Sequence, residues 1–218
     1  MQKCDFFLFG ALILFISCNP SSKEMQINAK LKESYNTDRL KGILQSARES
    51  IFHVWNDGQM PILPPLGENE GLAVRLTVHG KDRGCLAWYK NTGDMNLFAA
   101  FCAAHALRGD PRYDPLRPEE AGDTLVELLI FGKWEDMSTP EDFIPGSHNL
   151  WLADGPENTI LQASIAVQRH HTKKDFLEKI CVKAGLDKNA WSENKDLVWR
   201  RSAAVWITEP LSQIINKK

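Results

Sequence analysis

Hydrophobic residues recur at helical spacing in the segment that begins at Thr37. The apolar positions lie three or four residues apart, as on one buried helix face: Leu40, Ile43, Leu44, Ala47, Ile51, Val54 and Trp55. Asp38 is available as an N-cap, and the pair Asp57-Gly58 predicts the end of the helix. One amphipathic helix therefore opens the domain.

Two further helices are predicted from their caps and their apolar spacing. Asp94 caps the first of them, which ends at residues 108–111. Its apolar face consists of Leu97, Phe98, Phe101, Cys102 and Ala104. The other helix begins at the capping box of Thr172 and Asp175 and stops at Gly185.

Alternation of apolar and polar residues predicts the strands. Residues 72–78 alternate as a half-buried strand does, and a turn at residues 79–82 leads into residues 84–89, so a hairpin is expected. Three more strands, and a last one that pairs back into the sheet, are predicted at residues 125–131, 150–152, 159–163 and 197–207. Because helices and strands do not alternate regularly, the pattern indicates an α+β fold around a mainly antiparallel sheet.

The first residues predict export and lipid attachment. A lysine near the start, an apolar run from Phe6 to Ile16 and the ending Ser17-Cys18 are typical of a bacterial lipoprotein signal. Residues 1–17 are then the signal peptide, residues 18–36 a lipidated cysteine with its tether, and residues 37–218 the folded domain. The predicted location is the bacterial cell envelope, facing away from the cytoplasm, in the outer membrane if one is present. The alternatives are an uncleaved anchor and a cytosolic protein with a misplaced start.

Composition excludes several classes of protein. The chain has 218 residues, 43 % of them hydrophobic, and a net charge of −2 with acidic and basic residues mixed, so it offers no basic stripe for nucleic acid. Once Cys4 and Cys18 are set aside, Cys85, Cys102 and Cys181 form an odd set that argues against a disulfide framework. The sequence lacks the Walker, GxSxG and HExxH motifs and a cluster-binding cysteine triplet. We therefore expect no metal, and no cofactor beyond the lipid on Cys18.

Several motifs together resemble one known family. Arg83-Gly84-Cys85-Leu86 is similar to the signature Leu-Arg-Gly-Cys-Ile-Gly of the AMMECR domain, named for the Alport-syndrome and elliptocytosis chromosomal region. Residues 110–120 resemble its Asp-Pro-Arg-Phe and Pro-Leu-x-Pro-Glu-Glu runs, and residues 145–148 its Pro-Gly-x-His-Gly. Residues 176–191 resemble its closing helix, and the likeness extends from Leu40 to Thr208.

This resemblance implies a fold and a cleft, but no reaction. The expected fold is a larger lobe with a mainly antiparallel sheet flanked by helices, a smaller helical lobe, and a cleft between the two. Cytosolic members of the family resemble partners of Memo-like and radical-SAM proteins. An exported copy would not meet those partners, because radical-SAM chemistry requires reduced clusters and a cytosolic cofactor supply.

The chain departs from the family pattern at four places. Ala87 and Asn149 replace glycines, so side chains enter positions where the family has none. Residues 162–165 replace the run Leu-Pro-Gln-Val, and His170-His171-Thr172 replaces Gly-Trp-Asp before the closing helix. If these residues line a shared site, this copy has altered it.

Cys85 is the principal candidate for chemistry. The neighbouring Arg83 would lower the pKa of a thiol, Gly84 would let a substrate approach the backbone, and His148, which matches a family position, is the candidate base. In the alternative interpretation, Cys85 is a small buried hydrophobic residue and Gly84 is required for packing.

The other polar candidates have equally plain structural interpretations. Asp110 and Arg112 are candidates for binding a ligand, although Asp before Pro is also ordinary turn chemistry. His79 lies at a turn, where histidines are commonly only solvated. His170-His171 invites a metal interpretation, but no third ligand stands at a characteristic spacing, so a surface pair is expected.

Three hypotheses on function follow. The first, which we favour, is a membrane-tethered binding or accessory module that holds an unknown protein or small molecule in the cleft between the lobes. The second is a thiol-dependent enzyme in which Cys85 reacts, so whether the protein is an enzyme stays open. The third is a lipoprotein with a purely structural role in the envelope. A cytosolic member of a Memo and radical-SAM system is the alternative if the signal peptide is not one.

Overall fold

The computed structural model describes residues 30–65, 71–88 and 94–214. The helices are α1 (Thr37–Asp57), α2 (Met95–Arg108), α3 (Ala163–Gln168), α4 (Lys173–Lys183) and α5 (Ala190–Glu193). The strands are β1 (Gly71–Val78), β2 (Lys81–Trp88), β3 (Thr124–Asp136), β4 (His148–Asp154), β5 (Glu157–Leu161) and β6 (Val198–Pro210). Short 3-10 helices occupy Pro118–Asp123 and Leu211–Ile214.

The predicted signal peptide and the lipidation site at Cys18 lie outside the described residues and stay predictions. Incorporation of labelled palmitate in a bacterial host, present in the wild type and absent from Cys18→Ser, would test them. Equal labelling of the two would exclude Cys18 as the lipid attachment site. Within the described residues, no helix combines the length and the apolar character that crossing a membrane requires.

All six strands form one antiparallel sheet in the order β2-β1-β3-β6-β4-β5. The last strand of the chain, β6, lies inside the sheet, where Ile207 pairs with Leu128 of β3 and Trp199 pairs with Leu152 of β4. This confirms the predicted α+β class and the return of the last strand. In this strand order, β2 and β5 are the two outer strands of the sheet.

Helices cover the sheet with two main apolar cores. In the larger core, α1 and α2 pack against β1 and β3 around Leu44, Ile51 and Phe98. In the smaller core, Phe176 and Ile180 of α4 pack against β4 and β5. The smaller helical part of the molecule is therefore docked on the far end of the same sheet.

The first helix begins somewhat differently from the prediction. Its N-cap is Asn36, whose side chain accepts a hydrogen bond from the Arg39 N–H at 3.0 Å, while the predicted cap, Asp38, lies in the first turn. Leu31 and Tyr35 are buried in the larger core. The predicted tether is therefore too long, because part of residues 18–36 already belongs to the folded domain.

The hairpin turn is shorter than predicted, and its first strand is more buried. His79 and Gly80 both have positive φ, 49° and 74°, which is the conformation of a two-residue hairpin turn whose twist matches the strands. Strand β2 then begins at Lys81. Six of the eight residues of β1 are buried, rather than every second one. Helices cover one face of this strand, and on the other face Ala73 packs with Leu129 and Phe131 while Arg75 contacts Gln168 of α3.

Candidate functional site

A pocket of about 440 Å³ lies on the sheet face that carries Cys85, and we call it the Cys85 pocket. Its apolar lining consists of Ala87, Ile160, Leu161, Ile165 and Val182. Its polar and charged lining consists of Arg75, Asp82, Cys85, Arg112, Tyr113, Gln162, Lys179 and Lys183. The volume falls within the range that small-molecule sites occupy.

The pocket forms where the two outer strands of the sheet approach each other. Cys85 lies on β2, and Gln162 directly follows β5 at the opposite end of the strand order. Even so, the Gln162 Nε2 donates a hydrogen bond to the Cys85 Sγ across 3.6 Å. The sheet must therefore curl so that its edges face one another, and residues far apart in the sequence line one pocket.

The surroundings of the Cys85 thiol favour its protonated form. Burial raises its pKa above the ordinary value of 9.0, and this effect outweighs the Gln162 hydrogen bond and the nearby cations Arg75, Arg112 and Lys183, all of which favour the thiolate. The Sγ atom is a weak acceptor and donor in this state. The thiol-enzyme hypothesis requires a low pKa, which this environment does not provide.

Arg83 does not adjust the thiol, contrary to the sequence hypothesis. A β-bulge leaves it without a partner on β1, since Leu76 pairs with Gly84 and Thr77 pairs with Asp82. Its guanidinium binds Glu120 bidentately, with an Nε–Oε1 distance of 3.1 Å and an Nη2–Oε2 distance of 2.9 Å. This pair fastens the Pro118–Asp123 helix to β2 and lies outside the pocket lining.

Gly84 serves packing rather than the approach of a substrate. A Cβ atom at this position would lie 1.9 Å from the carbonyl oxygen of Ala106 on α2, far inside van der Waals contact. The backbone of α2 therefore occupies the space that the sequence hypothesis reserved for a substrate. Of the Arg83-Gly84-Cys85 motif, only Cys85 lines the pocket.

Asp110 and Arg112 form one unit that joins the end of α2 to the pocket. The Asp110 carboxylate accepts a hydrogen bond from the Cys85 backbone N–H at 2.9 Å, which satisfies an edge-strand donor. It also accepts from the Arg112 Nε and Nη2 at 2.8 and 2.6 Å, and these bonds lower the pKa of Asp110. Arg112 lines the pocket and Asp110 positions it from behind.

His148 is not the base for Cys85. It is 3 % exposed at the start of β4, and its Nδ1 accepts a hydrogen bond from the Ile144 N–H at 3.0 Å. His148 is absent from the pocket lining, where Gln162 provides the side-chain partner of the thiol. The sequence hypothesis assigned it to the site because it matches a family position, but its contacts hold the loop before β4.

The remaining histidines lie elsewhere. His79 is exposed, and its Nε2 lies 3.5 Å from the Asp123 Oδ2. His170 is exposed and has a positive φ of 52°, at the position where the family pattern has a glycine. Within the described residues, no group of three or more His, Cys, Asp or Glu side chains is arranged to hold a metal ion.

A buried ion pair behind the pocket is the feature that the sequence analysis missed. Arg75 of β1 and Glu127 of β3 face each other in register, are 6 % and 2 % exposed, and lie 3.2 Å apart. Glu127 also accepts hydrogen bonds from Ser164, Gln168 and Thr208. Each of the two strands is otherwise mainly apolar and carries one charged residue near its middle. This is the sequence signal that would have identified the pair.

The basic residues of α4 were also missed, because lysines on an amphipathic helix ordinarily meet only solvent. Lys179 and Lys183 are exposed residues, but the Lys183 Nζ donates a hydrogen bond to the carbonyl oxygen of Ile160. Partial burial of this ammonium lowers its pKa. Lys179, one helical turn earlier, lines the same pocket.

Three departures from the family pattern lie at or beside this site. Ala87 contributes to the pocket lining, as do Gln162 and Ile165 of the replaced run 162–165. Asn149 is fully buried, donates to the Ser202 Oγ at 3.1 Å and accepts from the Ala163 N–H at 2.9 Å. The side chain at position 149 therefore connects β4 to β6 and to the start of α3, next to Gln162.

The fold and the pocket define a class of protein, an α+β domain with one antiparallel sheet and a pocket between its outer strands. Comparison with known proteins gives the family: the profile of the AMMECR1 family matches residues 44–205, and the chain belongs to this family. The sequence resemblance to the AMMECR domain is thereby confirmed.

Relatives support this assignment across most of the chain. A protein of Methanosarcina acetivorans is 30 % identical over 185 residues, which are 79 % of this chain and 93 % of that protein. A protein of Aquifex aeolicus is 27 % identical over 187 residues, or 80 % and 96 % of the two chains. The crystal structure of an uncharacterised protein from Pyrococcus horikoshii matches with a TM-score of 0.65 and 23 % identity, covering 77 % of this chain and 89 % of that one. This last match shows the fold.

Proposed function

We propose that this protein is a small-molecule-binding module and that the Cys85 pocket is its binding site. The observation that carries the proposal is the combination of an apolar lining with polar groups that are already fixed in place. Asp110 holds Arg112, and Glu127 holds Arg75, through contacts that need no ligand. Preorganised polar groups beside apolar surface in one pocket are what small-molecule sites have in common.

The state of the thiol favours binding over covalent catalysis. A nucleophilic cysteine needs a neighbouring base or a lowered pKa. Burial raises the pKa of Cys85, and its side-chain partner is the amide of Gln162, which cannot take up a proton. In the proposed module, Cys85 forms part of the pocket lining.

Filling the pocket provides the test. A chemically diverse library of small metabolites is screened by thermal shift against the wild type and Ile165→Trp, which places an indole in the pocket. The matched control is Leu97→Trp, a substitution on the exposed side of α2. We expect compounds that stabilise the wild type and Leu97→Trp but do not stabilise Ile165→Trp. A screen without hits on the wild type, or hits that Ile165→Trp leaves unchanged, would contradict the proposal.

A further inference from the structure

The charges around the Cys85 pocket are unbalanced. Four basic side chains line it, namely Arg75, Arg112, Lys179 and Lys183, against one acidic side chain, Asp82. The carboxylates of Glu127 and Asp110 compensate Arg75 and Arg112 from behind. Asp82 in turn lies 3.5 Å from Arg75. The three carboxylates therefore leave one net positive charge, and the two lysines of α4 are the cations that hold no carboxylate in an ion pair among the described residues.

Lys183 is the cation that is least compensated. Its ammonium has three donors, and the one hydrogen bond found for it in the described structure goes to the neutral carbonyl of Ile160. Among the described residues, no carboxylate lies within ion-pair distance of Lys183 or of Lys179. Burial is the main effect that disfavours the charged form of Lys183, Arg112 and Lys179 add repulsion, and Asp82 attracts the ammonium more weakly. An anion placed among these groups would relieve both effects.

Another part of the pocket lining is apolar. Ile165 of α3, Val182 of α4 and Ala87 of β2 provide hydrophobic surface there, in the same pocket as the thiol of Cys85. A highly charged and fully hydrated ligand would gain little from this surface. A ligand with one anionic group and a short apolar body matches both halves of the lining.

We infer that the ligand of the Cys85 pocket is a small anionic amphiphile, a carboxylate or phosphate ester whose charge lies against Lys183 and Arg112 and whose apolar part lies against Ile165 and Val182. This inference rests on the proposed function and specifies its ligand class. Carboxylate and phosphate share the relevant chemistry, which is a set of charged oxygen acceptors for ammonium and guanidinium donors.

A matched series of six-carbon compounds tests the inference at about pH 7.5. Hexanoate, hexyl phosphate, hexanol and hexylammonium are titrated separately by ligand-observed NMR into the wild type, Lys183→Met and Lys133→Met. Methionine keeps the length of the lysine side chain and removes its charge. Lys133 is an exposed lysine of β3 outside the pocket and serves as the control.

We expect at least one of the two anions to bind the wild type about tenfold more tightly than hexanol, as one charge-assisted hydrogen bond allows. Lys183→Met should abolish this advantage, so that the anion and hexanol bind this variant about equally, while Lys133→Met should behave as the wild type. The tighter of the two anions then identifies the head group. Equal affinity for hexanol or hexylammonium, no anion binding, or no effect of Lys183→Met would overturn the inference. The proposed function is judged separately by the library screen, because neutral hits that Ile165→Trp abolishes would sustain it without an anionic ligand.

Discussion

Gly84→Ala is expected to destabilise the domain by roughly 3 kcal/mol or more, enough to unfold much of the protein at moderate temperature. The reason is geometric, since the added methyl group would lie 1.9 Å from the carbonyl oxygen of Ala106. The neighbouring atom belongs to the backbone of α2 and cannot move away alone. Separation of α2 from β2 would disturb the larger core, which includes Phe98 and Leu76. Urea unfolding followed by circular dichroism measures the change.

Gly42→Ala is the control for this substitution. Gly42 lies in α1, and a Cβ at this position has no atom within 4 Å. The same change should therefore stabilise the protein by about 0.5–1 kcal/mol, through the higher helix propensity of alanine. If Gly84→Ala cost no more than about 1 kcal/mol, the close contact between β2 and α2 would be wrong.

Glu127→Leu is expected to cost roughly 3–5 kcal/mol, because it leaves the buried guanidinium of Arg75 without its main counter-charge. Glu127 binds Arg75 at 3.2 Å and accepts a hydrogen bond from Ser164 at 2.8 Å. The other carboxylate near Arg75, that of Asp82, is farther away at 3.5 Å and is 42 % exposed. Thermal and urea unfolding of the wild type and the variant measure the loss.

A double substitution distinguishes the effect of an uncompensated charge on stability from the effect of a changed side-chain shape. Arg75→Met combined with Glu127→Leu removes both charges, so it should recover much of the stability that Glu127→Leu loses. Glu119→Gln, in the 3-10 helix outside the ion pair, should change stability by less than about 0.5 kcal/mol. A double variant no more stable than Glu127→Leu would show that the two residues do not compensate each other's charge.

The regular elements were predictable because their signals are local. Asp94 caps α2 by accepting from the N–H groups of Asn96 and Leu97, and Thr172 with Asp175 forms the capping box of α4, as the sequence indicates. Periodicity placed the strands for the same reason. The missed cap at Asn36 shows the limit of such signals, since Asn36 and Asp38, two positions apart, offer the same capping chemistry.

The pocket was less predictable, because it depends on how the sheet curls. The sequence named Cys85 and Arg112 as separate candidates, and both line the pocket. It could not place Gln162 or Lys183 there, since they reach the pocket only when β5 and α4 return towards β2. Arg83 and His148 occupy positions of the family motifs, yet their hydrogen bonds are with Glu120 and with the backbone of Ile144. A motif residue that fixes the backbone is indistinguishable in sequence from one that meets a ligand.

The pH dependence of Cys85 alkylation tests the central claim most directly, namely that this pocket binds ligands with a protonated thiol in its lining. Iodoacetamide labelling of the folded protein is followed by peptide mass spectrometry, with the buried Cys102 and Cys181 as internal controls. The raised pKa of Cys85 predicts slow labelling near neutral pH and a rate that still increases above its ordinary value of 9.0. Rapid labelling of Cys85 that has already reached its plateau below about pH 7 would contradict the account and restore the thiol-dependent enzyme.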